Sequence, residues 1–258
     1  GLQSNVGYTV IESLTTEVGQ RLAGSDAEAR ARDWGVAKLK ALGFQNVRVE
    51  PFQVMYWKRN AESAEILMPY PQKLVITALG GSVATDADGV IGAIVKFPTL
   101  QALKDAPMTG LEGKIVFVDE YMTRTQDGSG YGAAVQKRSG AANEAGKRGA
   151  VAALIRSVGT DHHRFPHTGQ MSYQEGVTQV PVAALSPPDA DQLKRALSRG
   201  EVTVKLVLDV ESLGYQESGN VVGEIPGISD EIVLIGGHLD SWDLGTGAVD
   251  DGAGIGIT

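Results

Sequence analysis

Cysteine is absent from the 258 residues of this chain. Disulfide bonds and thiolate metal sites are therefore excluded, so any zinc ligand has to be histidine, aspartate or glutamate. Histidine is scarce as well, because the chain has four, and three of them lie between residues 162 and 167. The fourth, His238, stands alone near the end of the sequence, and it is the histidine with the most informative surroundings.

The sequence also lacks long apolar runs and an excess of positive charge. No stretch approaches the roughly 18 apolar residues of a membrane-spanning helix. The net charge of −8 argues against nucleic acid as a partner, because its phosphates would repel the chain, and against an anionic membrane surface. The length, together with 42% apolar residues, favours a globular protein of two domains.

Residues 236–254 carry the chemistry. The apolar run Ile232–Ile235 precedes them and predicts a buried parallel strand. His238 and Asp240 would then lie just beyond the end of a strand, where open α/β sheets bind their ligands. Imidazole and carboxylate groups are ligands for zinc or a similar divalent ion, and Asp240 is placed to orient the His238 ring.

Two acidic residues, Asp250 and Asp251, follow after a glycine-containing loop and precede Gly252–Thr258, which resembles the first turns of a helix. A simpler interpretation is that these carboxylates only cap that helix, and that the His-x-Asp pair is structural or accidental. The combination of a strand, His-x-Asp, a glycine-rich loop and Asp-Asp-Gly in one segment favours a metal site.

This segment resembles the co-catalytic di-zinc exopeptidases, a family that includes secreted aminopeptidases, glutamate carboxypeptidase and carboxypeptidase Q. The stretch from Asp240 to Asp250 is most similar to the carboxypeptidase Q branch. The resemblance implies that His238 binds one zinc ion, that Asp250 bridges two zinc ions, and that Asp240 orients His238. It also implies a cis peptide bond between Asp250 and Asp251.

The same resemblance calls for residues that this chain does not offer after Asp251, namely a Glu-Glu pair, a further acidic ligand and a second histidine. We therefore expect the chain to be the front portion of a longer zinc exopeptidase and to be inactive by itself. The complete enzyme would hydrolyse dipeptides or short peptides with a metal-activated water. A related zinc hydrolase family also uses His-x-Asp, but the short gap between His238 and Asp250 disfavours it.

A non-enzymatic binding or receptor protein on an inactive peptidase fold is the alternative function. The resemblance further implies a secreted or periplasmic location and a peptide substrate, and it leaves open a homodimer. The cluster His162, His163 and His167 could suggest a second metal site, but it lacks the helical spacing of a preformed one.

The predicted fold class is α/β, with an incomplete zinc-exopeptidase sheet and an inserted α/β domain that resembles the protease-associated domain. The predicted domains are residues 1–57 (peptidase, first part), 58–212 (insertion) and 213–258 (peptidase, resumed). The resemblance of the insertion to the protease-associated domain rests on two segments, Leu111–Val118 and Gly149–Ile155.

Periodicity and turn residues predict the individual elements. Two helices fill most of residues 8–43, and the second begins at a capping box, Ser25 to Glu28, with Ala31, Gly35, Leu39 and Leu42 on one face. The predicted strands are 47–57, 73–79, 90–97, 114–118, 150–155, 180–185, 202–208, 220–225 and 232–235. The remaining predicted helices are 132–148 and 188–198.

Overall fold

The computed structural model describes residues 4–258. Contacts divide the chain into two units. Unit 1 comprises the residues up to Tyr56 together with Leu213–Thr258, and unit 2 comprises Trp57–Ser212.

The described residues form seven α-helices, one short π-helix and eight strands. The helices are α1 Val6–Ser13, a π-helix Leu14–Val18, α2 Asp26–Ala41, α3 Leu100–Lys104, α4 Ser129–Ala134, α5 Lys137–Lys147, α6 Pro187–Leu197 and α7 Gly252–Ile257. The strands are β1 Gln45–Met68, β2 Gln72–Leu74, β3 Ile76–Ala78, β4 Val90–Phe97, β5 Ile115–Val118, β6 Ala152–Arg156, β7 Val182–Leu185 and β8 Thr203–Glu224.

In unit 1 the longest helix, α2, starts and packs as its sequence predicts. The hydroxyl of Ser25 accepts a hydrogen bond from the Glu28 amide at 3.2 Å, which satisfies one of the free amides at the helix start. Ala31 and Gly35 are buried, and a side chain at Gly35 would press against Val221 of β8. The prediction that Leu42 shares this buried face is wrong, since Leu42 follows the helix and is 48% exposed.

Unit 2 is built on a mixed sheet. Strands β4, β5, β6 and β7 are parallel neighbours, β3 adds antiparallel to β7, and β8 adds antiparallel to β4. The full strand order is β2-β1-β8-β4-β5-β6-β7-β3. All residues of β5, β6 and β7 are buried, because a parallel strand in the middle of a sheet is covered on both faces.

Two apolar clusters cover the two faces of this sheet. One contains Phe117 and Leu154 with Leu193 of α6, and the other contains Val116 and Ile155 with the alanines of α5. The mixed sheet and its helices confirm the predicted α/β class. None of the helices within residues 4–258 is long and apolar enough to cross a bilayer.

The structure corrects several predicted boundaries. The strand expected at 47–57 continues to Met68, and the strands expected at 202–208 and 220–225 are one strand, β8. The helix expected at 132–148 is two helices, α4 and α5, and the strand expected at 73–79 is two short strands, β2 and β3. Sequence patterns do not show where a strand ends, since pairing with a distant strand decides how far it continues.

The largest correction concerns the apolar run at 232–235. It is not a buried strand, because residues 225–242 have no regular structure and Ile232, Val233 and Leu234 are each at least 88% exposed. A parallel strand depends on a neighbouring strand for its hydrogen bonds and on other elements to cover its faces. Within residues 4–258, the run at 232–235 has no neighbouring strand and no element that covers its faces.

Candidate metal centre

The side chain of His238 lies between two carboxylates of unit 1. Its Nδ1 is 3.1 Å from Asp240 Oδ1 and 3.0 Å from the Asp240 carbonyl oxygen. Its Nε2 is 2.8 Å from Asp250 Oδ1. The structure thus brings together all three residues that the sequence nominates, although His238 follows an irregular segment and not the end of a strand.

The partners of the two ring nitrogens define their protonation. Both groups near Nδ1 are oxygens that can only accept, so this nitrogen carries a proton. Asp250 also accepts from Nε2 in this arrangement. Burial by itself lowers the pKa of His238, but the hydrogen bond to Asp250 and the negative charge of Asp240 outweigh burial and raise that pKa. Loss of the Nε2 proton would leave a neutral ring with one lone pair directed at Asp250.

The neighbouring carboxylates Asp250 and Asp251 have different tasks. Asp251 caps helix α7, since its Oδ1 accepts from the Gly254 amide at 3.2 Å, and its Oδ2 accepts from the His238 amide at 3.3 Å. The side chain of Asp250 is 85% exposed and faces the histidine ring. The bond between the two aspartates is cis, as predicted. The capping interpretation therefore holds for Asp251 and not for Asp250.

The donor types and their convergence fit zinc, but only as part of a ligand set. Imidazole nitrogen and carboxylate oxygen are zinc ligands, and both side chains are exposed, His238 by 51% and Asp250 by 85%. Across residues 4–258 no group of three or more histidine, cysteine, aspartate or glutamate side chains is arranged to hold a metal ion. His238 and Asp250 therefore fit two ligand positions.

The other histidines serve different partners. In unit 2, His162 Nε2 lies 2.9 Å from Asp191 Oδ2 and His167 Nε2 lies 2.8 Å from Asp161 Oδ1. The three histidines of this segment do not converge. The structure thus gives no support to a second metal site there.

One residue of the site escapes sequence reasoning. Arg21 is 0% exposed and donates hydrogen bonds to carbonyl oxygens of the loop between His238 and Asp250. An arginine between two helices has no pattern that announces contacts with a loop more than 200 residues later.

Comparison with known proteins places these residues among peptidases. Residues 220–258, which include the candidate site, match the model of peptidase family M28. Over its whole length the chain is 38% identical to carboxypeptidase Q of Bos taurus and covers 54% of that protein. The chain thus spans about half the length of the curated relatives that it matches.

Solved structures give the same grouping. A peptidase M28 precursor from Shewanella amazonensis is 52% identical, with a TM-score of 0.96, over 99% of this chain and 58% of that one. A zinc aminopeptidase from Bacillus subtilis is 21% identical, with a TM-score of 0.68, over 98% of this chain and 55% of that one. At that identity the second likeness concerns the fold alone.

Proposed function

We propose that the chain, whose residues 220–258 match the model of peptidase family M28, forms part of a zinc-dependent exopeptidase that hydrolyses dipeptides or short peptides. The observation that carries this proposal is the convergence of His238 Nε2 and Asp250 Oδ1 at 2.8 Å, with Nδ1 occupied by Asp240. The match to a peptidase family model and to a carboxypeptidase favours this enzyme over a non-enzymatic binding protein.

Each residue has a separate role in this proposal. His238 and Asp250 would be metal ligands in a complete site that would hold two zinc ions. Asp240 keeps the proton at Nδ1 of His238, which directs the Nε2 lone pair to the metal and makes the ring a better donor. Asp251 holds the His238 amide and the first turn of α7, so it fixes the backbone on both sides of the ligands.

When bound, zinc would lower the pKa of a water molecule and polarise the scissile carbonyl. The residues of this chain would fix where the zinc is held. The 2.8 Å hydrogen bond between His238 and Asp250 and metal ligation use the same atoms, so binding must displace the Nε2 proton. The remaining ligands and the general base would lie in the part of the relatives that this chain does not span.

Three further assignments belong to the same proposal. Unit 2 would be a protease-associated domain, which the order of its parallel strands and its extent, Trp57–Ser212, support. The protein would be secreted or periplasmic. The partner would be a peptide and, for assembly, a second copy of the protein.

Zinc binding by the 258-residue chain tests the ligand assignment. We expect His238→Ala and Asp250→Ala each to weaken zinc binding by at least the roughly 10–100-fold that loss of an outer partner causes, measured by calorimetric titration. His163→Ala is the matched control, since this exposed histidine of unit 2 lies outside the site. Equal zinc affinity in the wild type and in His238→Ala would contradict the assignment.

The proposed reaction requires a separate assay. Where the coding sequence continues beyond this chain, the complete product should release amino acids from dipeptides, and a zinc chelator should abolish that release. Activity that survives both chelation and His238→Ala would rule out the zinc mechanism. The isolated chain should show no turnover, because it contains two of the ligands and no glutamate in the site.

A further inference from the structure

Arg21 is a charged residue that has no exposed surface and no carboxylate hydrogen-bonded to it in the described structure. Its Nε donates to the Leu239 carbonyl at 2.5 Å, and its Nη1 donates to the carbonyls of Thr246 at 2.5 Å and Gly19 at 2.9 Å. Its Nη2 donates to the Gly247 carbonyl at 3.3 Å. Burial of a charge is costly unless hydrogen bonds compensate for it, and here neutral carbonyl oxygens provide all of them.

Three of these carbonyls, those of Leu239, Thr246 and Gly247, belong to the two ends of one loop. Leu239 is the residue between His238 and Asp240, and Gly247 stands three positions before Asp250. We propose that Arg21 is a positioning residue of the metal centre, whose guanidinium fixes the distance between the arm with His238 and the arm with Asp250. This inference rests on the proposed function for the metal itself, whereas the clamp can be tested without it.

The backbone of Arg21 strengthens the same connection. Its amide donates to the Ser241 hydroxyl at 3.1 Å, and its carbonyl accepts from the Ser241 amide at 3.1 Å. Main chain and side chain of one residue therefore hold the loop at Leu239, Ser241 and Gly247. The Gly247 carbonyl also accepts from the Gly252 amide at 3.0 Å, which joins the clamp to the start of helix α7.

The contacts of residue 21 with the loop suit an arginine at that position and a loop residue without a side chain at position 247. The planar guanidinium directs several N–H groups outward in a fixed fork, whereas a lysine ammonium is a compact point charge without that fork. Gly247 has a positive φ of 61°, and a side chain there would lie 3.0 Å from Arg21 Nη2 and 2.6 Å from the Ser241 side chain. The loop thus leaves room for the arginine head.

The guanidinium of Arg21 keeps its charge although the residue is buried. Burial lowers the pKa of Arg21, and the negative charge of Asp240 acts in the opposite direction. The guanidinium remains protonated, since arginine does not lose its charge in proteins. The hydrogen bonds to the loop carbonyls therefore compensate for a buried positive charge.

The experiment compares Arg21→Lys with Arg32→Lys in the 258-residue chain, and near-ultraviolet circular dichroism verifies folding. Arg32 is also a buried arginine of unit 1, but its ion-pair partners are Glu28 and Glu217, outside the loop. The first measurement is hydrogen–deuterium exchange of peptides covering 239–252 without zinc. Because hydrogen bonds from charged donors are stronger than those between neutral groups, we expect exchange to be about tenfold faster or more in Arg21→Lys and unchanged in Arg32→Lys.

The second measurement is zinc affinity, with Arg21→Met as an additional variant. We expect about a 10–100-fold loss in both Arg21 variants and none in Arg32→Lys. Exchange that is no faster in Arg21→Lys than in Arg32→Lys overturns the clamp. Faster exchange with unaltered zinc affinity overturns the positioning role. If the wild type binds no zinc, the proposed function fails, while the exchange data still decide whether the clamp exists.

Discussion

Asp191 of unit 2 should make the stability of the protein depend strongly on acid pH. Its carboxylate lies 2.6 Å from Arg156 Nη2, 2.9 Å from His162 Nε2 and 2.9 Å from the Tyr121 hydroxyl. Burial raises the pKa of Asp191, but these hydrogen bonds and the charge of Arg156 outweigh burial and lower the pKa from 3.8 to about 2.

The size of the effect follows from linkage between proton binding and folding. A depression of the folded-state pKa from 3.8 to about 2 corresponds to about 2 kcal/mol in the free energy of unfolding. The side chain is 24% exposed, so solvent screening reduces this value only in part. Because the folded pKa is the lower one, the stabilisation is fully present above about pH 4 to 5 and is lost as the pH falls through 3.8 towards about 2.

Asp191→Asn tests this expectation. The free energy of unfolding of unit 2 can be followed by urea titration through Trp57, in a background where the other two tryptophans, Trp34 and Trp242, are changed to phenylalanine. The variant should be about 2 kcal/mol less stable at pH 7, and the difference should shrink at pH 3 and fall to a small fraction of that value near pH 2.

Asp88→Asn, an exposed acid in the turn before β4, is the control and should show no such pH dependence. A difference between wild type and Asp191→Asn that stays constant from pH 7 to pH 2 would refute the reasoning, because it would assign the loss to packing and not to the charge.

Two further predictions concern helix α5. Burial lowers the pKa of Lys137 from 10.5 to about 8, so the folded protein loses this proton at a lower pH than the unfolded chain does. Between pH 7 and pH 11 the free energy of unfolding of the wild type should therefore rise by about 3 kcal/mol relative to that of Lys137→Met. Urea titrations at both pH values measure this rise, and an unchanged difference between the two proteins would contradict the prediction. A β-carbon on Gly146 would clash with the Thr178 carbonyl oxygen, whereas one on Gly132 in α4 meets nothing within 4 Å. Gly146→Ala should therefore lose about 1–3 kcal/mol by overpacking and Gly132→Ala should lose none, which thermal unfolding can compare; equal melting temperatures would count against close packing of Gly146 on Thr178.

Local patterns in the sequence were sufficient for elements whose ends depend on their own residues. Strand β4 spans 90–97 as predicted, and helix α2 begins at the cap that Ser25 provides. The same holds for the start of α7, where the Asp251 carboxylate accepts from the Gly254 amide. These features involve contacts within a few residues, so the order of residue types determines them.

The candidate ligands were also accessible from the sequence, because His238 and Asp250 belong to one short segment and a family resemblance covers it. The structure adds the atomic contacts that each of these side chains makes. It shows that Asp250 faces the ring while Asp251 turns to the helix, a choice between adjacent identical residues that no spacing rule makes.

Tertiary structure alone decided the rest. Apolar composition at 232–235 indicates a strand, but a strand forms only where another strand and a covering layer are present, and in residues 4–258 this run is exposed. The contact of Arg21 with Leu239 and Gly247 joins residues separated by more than 200 positions. Periodicity reports what a segment can bury, whereas the fold determines which distant partner it meets, because that choice depends on the shape of the whole chain.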